Sequence, residues 1–154
     1  MLDNINQEAR TWAMWCHLAA LLAIPLAFIG IPPLLLNILG PLVVWLWKKD
    51  QHSFIDDQGK ESLNFQLSLS LYGFSLVIGL GILMVIFVIA AGGAGTTADA
   101  SLGALTVVLG IALAGLVILA IIVSMIQLVL VIFAAVKANK GQFYRYPLTI
   151  RFLK

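Results

Sequence analysis

From Thr11 to Trp47 the chain runs 37 residues without an Asp, Glu, Lys or Arg. A single helix of that length would reach about 55 Å, against the roughly 30 Å of a bilayer's hydrocarbon core. The run is broken at Gly30-Ile31-Pro32-Pro33, where paired prolines remove two donors and constrain the residue before them. The pattern therefore predicts a hairpin, with a first helix over about 12–29 and a second over about 33–47. The second would be only about 22 Å long and carries Pro41. It is expected to be tilted, kinked or re-entrant. A polar stretch, residues 48–61, follows as a predicted loop. Ser62–Ala91 is again free of charge and predicts a third helix over about 63–91. The small-residue stretch from Gly92 to Asp99 reads as a turn. A second 37-residue uncharged run, Ala100–Val136, predicts a fourth helix over about 102–136, and residues 137–154 form a basic, aromatic tail.

Composition sharpens this pattern. Hydrophobic residues make up 62% of the 154 and charged residues 10%, where soluble domains have roughly 45–50% and about 25%. Such a chain cannot clothe a soluble globule in charge, which excludes an ordinary cytosolic enzyme, a disordered tail and a nucleic-acid binder. The expected fold class is all-α: an integral membrane protein of four transmembrane helices, the first two a proline-interrupted hairpin. The acidic start, with Asp3 and Glu8 before Arg10, and the long apolar run after it argue for a retained segment, not a cleaved signal peptide. Four crossings put both termini on one face. All nine Lys and Arg residues fall on that face, and Asp99 is the one charge on the other. The positive-inside rule then makes the termini cytoplasmic. Trp12, Trp15, Trp45 and Trp47 sit near the same interface, as amphipathic rings do.

Candidate chemistry is sparse. On the third helix Asn64, Ser68, Tyr72, Ser75 and Gly79 recur at steps of 4, 4, 3 and 4, forming one stripe. Polar groups in lipid are costly, so the stripe is expected to face other helices, as hydrogen-bonding and packing contacts or as a polar path. On the fourth, Gly110 and Ala114 suit close helix approach, and Ser124 and Gln127 lie three apart. Gln127 needs a partner, for which Asn64, Ser68 and Ser75 are candidates. His17 reads as a neutral, hydrogen-bonded histidine. The polar stretch around His52, Asp56 and Asp57 fits no calcium or zinc spacing, and the glycines after Gly92 lack the lysine of a phosphate loop. Neither a metal, a cofactor nor a catalytic set is expected; Cys16, alone, forms no internal disulfide. In the tail, Tyr144, Tyr146, Leu148, Ile150 and Phe152 alternate with polar positions, an extended pattern. Lys137, Lys140, Tyr144, Arg145, Tyr146, Arg151 and Lys154 are candidate lipid-interface residues, with anionic lipid as a partner.

Three stretches carry a resemblance: Lys49-Asp50 with Phe54-Ile55-Asp56; Lys60-Glu61-Ser62-Leu63-Asn64-Phe65-Gln66-Leu67; and Lys137 to Leu148, ending Tyr144-Arg145-Tyr146-Pro147-Leu148. With Trp12 and His17 they resemble the bacterial DUF4870 family of small four-helix membrane proteins, grouped with Tic20-like proteins. The resemblance implies a role beside protein translocation or membrane-protein assembly and transfers no catalytic residue. The expectation is a non-enzymatic multi-pass protein working through a membrane-protein partner or its own oligomer. The alternative is an oligomeric channel or small-solute transporter built on the stripe of the third helix.

Overall fold

The computed structural model describes residues 5–22, 33–93 and 98–154. Of the breaks predicted at 30–33 and 92–99, residues 30–32 and 94–97 lie outside the described residues, while Pro33, Gly92, Gly93, Ala98 and Asp99 fall within helices. Four α-helices and no strand are found among those described: α1 (Gln7–Leu18), α2 (Pro33–Lys48), α3 (Ser53–Gly93) and α4 (Ala98–Asn139). A 3₁₀ turn over Ala19–Leu22 extends α1, and another over Lys49–Gln51 joins α2 to α3.

The helix ends follow local chemistry. Asn6 caps α1, its side chain accepting from Ala9 N at 2.8 Å, which satisfies one of the amides a helix start leaves unpaired. His52 does the same for α3: its Nδ1 accepts from Phe54 N at 3.0 Å. The stretch predicted as a loop over 48–61 is thus mostly helix, because α3 starts at Ser53, two turns before the apolar run. At the far end of α4, Gly141 takes a φ of +72°. Gly141 N donates to Ala138 O and Gln142 N to Lys137 O, the paired bonds of a Schellman stop.

The chain divides into two compact units, residues 1–71 with 127–154, and residues 72–126. In the first, α1 turns a face of small residues inward. Ala9, Ala13, Cys16 and Ala20 are all at most 2% exposed, at helical spacing. Ile55 packs with Ala9 and Cys16, and Phe54 with Ala13 and Ala138. A third cluster joins Phe65, Val131, Ala134 and Tyr146. Two glycines permit close approach. A Cβ on Gly40 would lie 2.3 Å from Ala19 O, and one on Gly59 would lie 2.3 Å from Trp45 Cδ1.

The second unit consists of helix with apolar side chains exposed around it, such as Phe74 at 64%, Ile89 at 69% and Ile111 at 70%. A helix apolar all round belongs in a large core or a bilayer. Ser53–Ala90 and Leu102–Asn139, 38 residues each, are the two described helices long and apolar enough to cross a membrane. That count is of the described residues alone, and residues 23–32 of the first uncharged run lie outside them. The described part of the first run forms α1 and its 3₁₀ turn, packed inside the first unit, and α2 at 16 residues reaches only about 24 Å.

Candidate functional site

The tail after Gly141 docks along α3. Asp57, Glu61, Asn64 and Ser68 follow one another at steps of 4, 3 and 4 on that helix, and each takes hold of the tail. Glu61 is 1% exposed. Its Oε1 accepts from Tyr146 N at 2.7 Å and its Oε2 from Arg145 Nη1 at 3.1 Å. Arg151 Nε approaches the same oxygen at 3.7 Å. Arg145 Nη2 also reaches Asp57 Oδ1, at 2.5 Å. Burial works against the Arg145 charge, but Asp57 and Glu61 outweigh it and raise its pKa.

Asn64 behaves as a surrogate peptide group. Its Oδ1 accepts from Phe152 N and Leu153 N at 3.0 and 2.8 Å, while its Nδ2 donates to Leu153 O at 2.9 Å. Ser68 Oγ accepts from Ile150 N at 2.8 Å and donates to Asn64 O at 2.7 Å. The tail lacks strand partners, so these side chains satisfy backbone groups that burial would otherwise orphan.

Behind the clamp lies a buried polar chain. His17, fully buried, sets Nε2 3.3 Å from Gln58 Oε1 and Nδ1 3.1 Å from the Tyr146 hydroxyl. Gln58 Oε1 also accepts from Tyr144 N at 3.2 Å, while Gln58 Nε2 donates to Asp57 Oδ2 at 2.7 Å. Because that oxygen is an acceptor, Nε2 of His17 carries the proton and Nδ1 receives the Tyr146 O–H. Burial pushes the imidazole down to about 4, against a smaller upward pull from the Gln58 bond. Tyr146 stacks on Phe65 with centroids 4.0 Å apart and planes 5° off parallel; burial, then Tyr144 and Glu61, push its phenol well up. Nearby Ser62 Oγ donates to Cys16 O at 2.8 Å, and burial raises the Cys16 thiol to about 12, leaving it protonated and unreactive.

The residues singled out in the sequence are dispersed by this arrangement. His17, Asn64 and Ser68 meet in the first unit, as do Tyr144, Arg145 and Tyr146. Asn64 and Ser68 are hydrogen-bonded to tail backbone. Tyr72 and Ser75 are exposed and Gly79 is half-buried in the second unit, where Gly110, Ala114 and Ser124 are also exposed. Gln127 finds Gln66, donating to its Oε1 at 3.2 Å, and none of the three partners expected. Gln66 Nε2 is buried without a hydrogen bond. Among the lipid-interface candidates, Tyr146 is 4% exposed and faces His17 and Phe65, because the tail wraps α3 and its aromatic side packs inward. Lys137 lies over the Phe133 ring at 5.4 Å, and Lys140 is exposed at the helix stop. Lys48 lies between Trp12 and Trp47, its Nζ 4.3 and 4.6 Å from the ring centroids.

Gln58 and Glu61 are not among the site residues that the sequence singles out, and Asp57 enters there only with His52 and Asp56 in the polar stretch. Their signal was present: the stripe through Asn64 and Ser68 continues at helical steps down to Glu61 and Asp57. By composition residues 48–61 read as a solvated loop, so the stripe extends to Asp57 only once α3 is seen to start at Ser53.

The two motifs that meet here, Lys60–Leu67 and Tyr144–Leu148, fall within a match to MamF_MmsF, the magnetosome magnetite crystal formation protein family, over residues 8–153. The chain belongs to that family. MamF_MmsF membership corrects the resemblance to DUF4870 and Tic20-like proteins, and with it the expected role in translocation or membrane-protein assembly. The motifs quoted for that resemblance are a helix–tail clamp, whose residue types answer to packing and hydrogen bonding; such a pattern carries a fold and does not name a function. No curated protein matches the chain, and no solved structure does.

Proposed function

We propose that this chain is a non-enzymatic protein of magnetite crystal formation, anchored in a bacterial inner membrane by α3 and α4, with its basic end in the cytoplasm. The family match over residues 8–153 carries the reading. The exposed apolar surface of the second unit supports the anchor, since unclothed patches of that size do not occur on soluble monomers. The cations support the orientation. With α3 and α4 as the crossing helices, Lys60 before the apolar stretch and Lys137 to Lys154 after it lie on one side, where Arg10, Lys48 and Lys49 join them in the first unit. The acids and histidine of that unit support a structural role, because Asp57, Glu61 and His17 are engaged in holding the tail. The apolar unit is covered by lipid and by a second copy or another membrane protein.

Cells lacking the chain should form magnetite crystals of altered size or number, restored equally by the wild type and by His52→Asn and Asp56→Asn variants. Crystals indistinguishable with and without the chain would remove the reading. A reporter fused after Lys154 should be active in the cytoplasm; activity on the opposite side overturns the orientation.

A further inference from the structure

Beside the clamp lies a cavity of about 420 Å³ between α3 and the tail. Asp57, Glu61 and Asn64 line it from the helix, and Arg145, Arg151 and Lys154 from the tail, with Lys60 at its edge. Four bases face two acids, so the lining carries a surplus of two positive charges. The acids are already occupied. Glu61 is buried under Tyr146 N and Arg145, and Asp57 is paired with Arg145. Lys60 is paired with Asp56 at 2.6 Å. Arg151 and Lys154 are less engaged: among the described residues neither forms a hydrogen bond, and Arg151 has a single long ion pair, from Nε to Glu61 Oε2 at 3.7 Å. The Arg151 side chain is 55% exposed.

We infer that this cavity is a binding site for a phosphate group, held by Arg151 and Lys154 with Arg145 behind them. A guanidinium offers parallel N–H donors that match two phosphate oxygens, and an ammonium adds a point charge. The position suits a phospholipid headgroup. Glu61 is the last charged residue of α3, which runs uncharged from there to Gly93, so the cavity lies on the polar side of the apolar stretch, toward the phosphates of a bilayer. That placement rests on α3 crossing the membrane as proposed above; the affinity for phosphate itself does not.

The test uses the full chain in two arms. In neutral detergent it is titrated with inorganic phosphate. In nanodiscs, binding of a fluorescent phosphatidic acid is measured against a phosphatidylcholine background. The double variant Arg151→Gln, Lys154→Gln should weaken binding about tenfold or more, as two lost basic contacts imply. The double variant Lys137→Gln, Lys140→Gln removes the same charge from outside the cavity and should change it less than about twofold. Binding in both arms, or in either alone, supports the site and identifies the source as free phosphate, lipid or both. Equal losses in the two double variants would mean diffuse attraction and overturn it, as would no binding in either arm. Thermal unfolding of both variants at the wild-type temperature separates these losses from damage to the clamp.

Discussion

Glu61 and His17 show two ways of burying a polar group. Glu61 is met by a backbone amide and a guanidinium, Tyr146 N on Oε1 and Arg145 Nη1 on Oε2. Removing it leaves Tyr146 N unsatisfied in a buried place, and Glu61→Ala should destabilise the first unit by about 2–3 kcal/mol. Glu61→Gln retains an acceptor for that amide and should cost roughly half as much. Chemical unfolding of the two variants checks the order, and equal losses would show that the charge, and not the amide acceptor, is what matters. His17 is buried neutral. Between its ordinary value of 6.5 and about 4, the unfolded chain takes up a proton that the folded chain refuses. Stability therefore falls as pH drops through that window, by about 1.4 kcal/mol per unit. His17→Leu should be less stable at neutral pH but flat from about pH 6.5 to about 5, above the range where carboxylates titrate. An unchanged slope would move the effect to another group.

At the scale of elements, the glycines divide into two kinds by what surrounds them. Gly40 meets the backbone of the 3₁₀ turn and Gly59 meets the Trp45 ring, itself held by a 2.9 Å bond from Nε1 to Asp56. Neither neighbour has room to retreat, so Gly40→Ala and Gly59→Ala should each cost about 1–3 kcal/mol through overpacking. Gly73 and Gly103 have nothing within 4 Å of a Cβ. There alanine should be neutral or stabilising by up to about 1 kcal/mol, through helix propensity alone. Denaturation of the four single variants tests the contrast in sign. The sequence shows four similar glycines in helical stretches, because a close approach depends on what another element brings opposite. The helices α3 and α4 were legible for the converse reason: long uncharged runs need no partner to declare themselves.

For the whole molecule, the tail is the part whose removal should tell most. Asn64, Ser68 and Glu61 are buried against it, so a chain stopped after Gln142 exposes them together with Phe65. Such a chain should become protease-sensitive within residues 5–71 while its far-ultraviolet helix signal stays nearly unchanged. Retained resistance would mean that the first unit folds without its clamp. The alternation of apolar and polar residues in the tail predicts one extended segment with a single apolar face, but a turn at Pro147 and Leu148 interrupts it, Leu148 taking a φ of +57° and standing 87% exposed while Tyr146 is 4% exposed. Nor does the alternation announce which surface the segment lies on, because a period of two fits a lipid interface and the side of a helix equally well.

Read alone, the chain's order of residues determined the helical class, the two long apolar helices and the gathering of basic residues. Each follows from local composition or from distances along one chain. Tertiary structure decided that the first uncharged run contributes α1 to a folded unit. It also gave Gln127 to Gln66, turned Tyr146 inward, and made Asp57, Glu61, Asn64 and Ser68 a receptor for the tail. Those outcomes join residues 41 to 129 positions apart, and contacts across such separations depend on which surfaces meet, a property no local pattern contains.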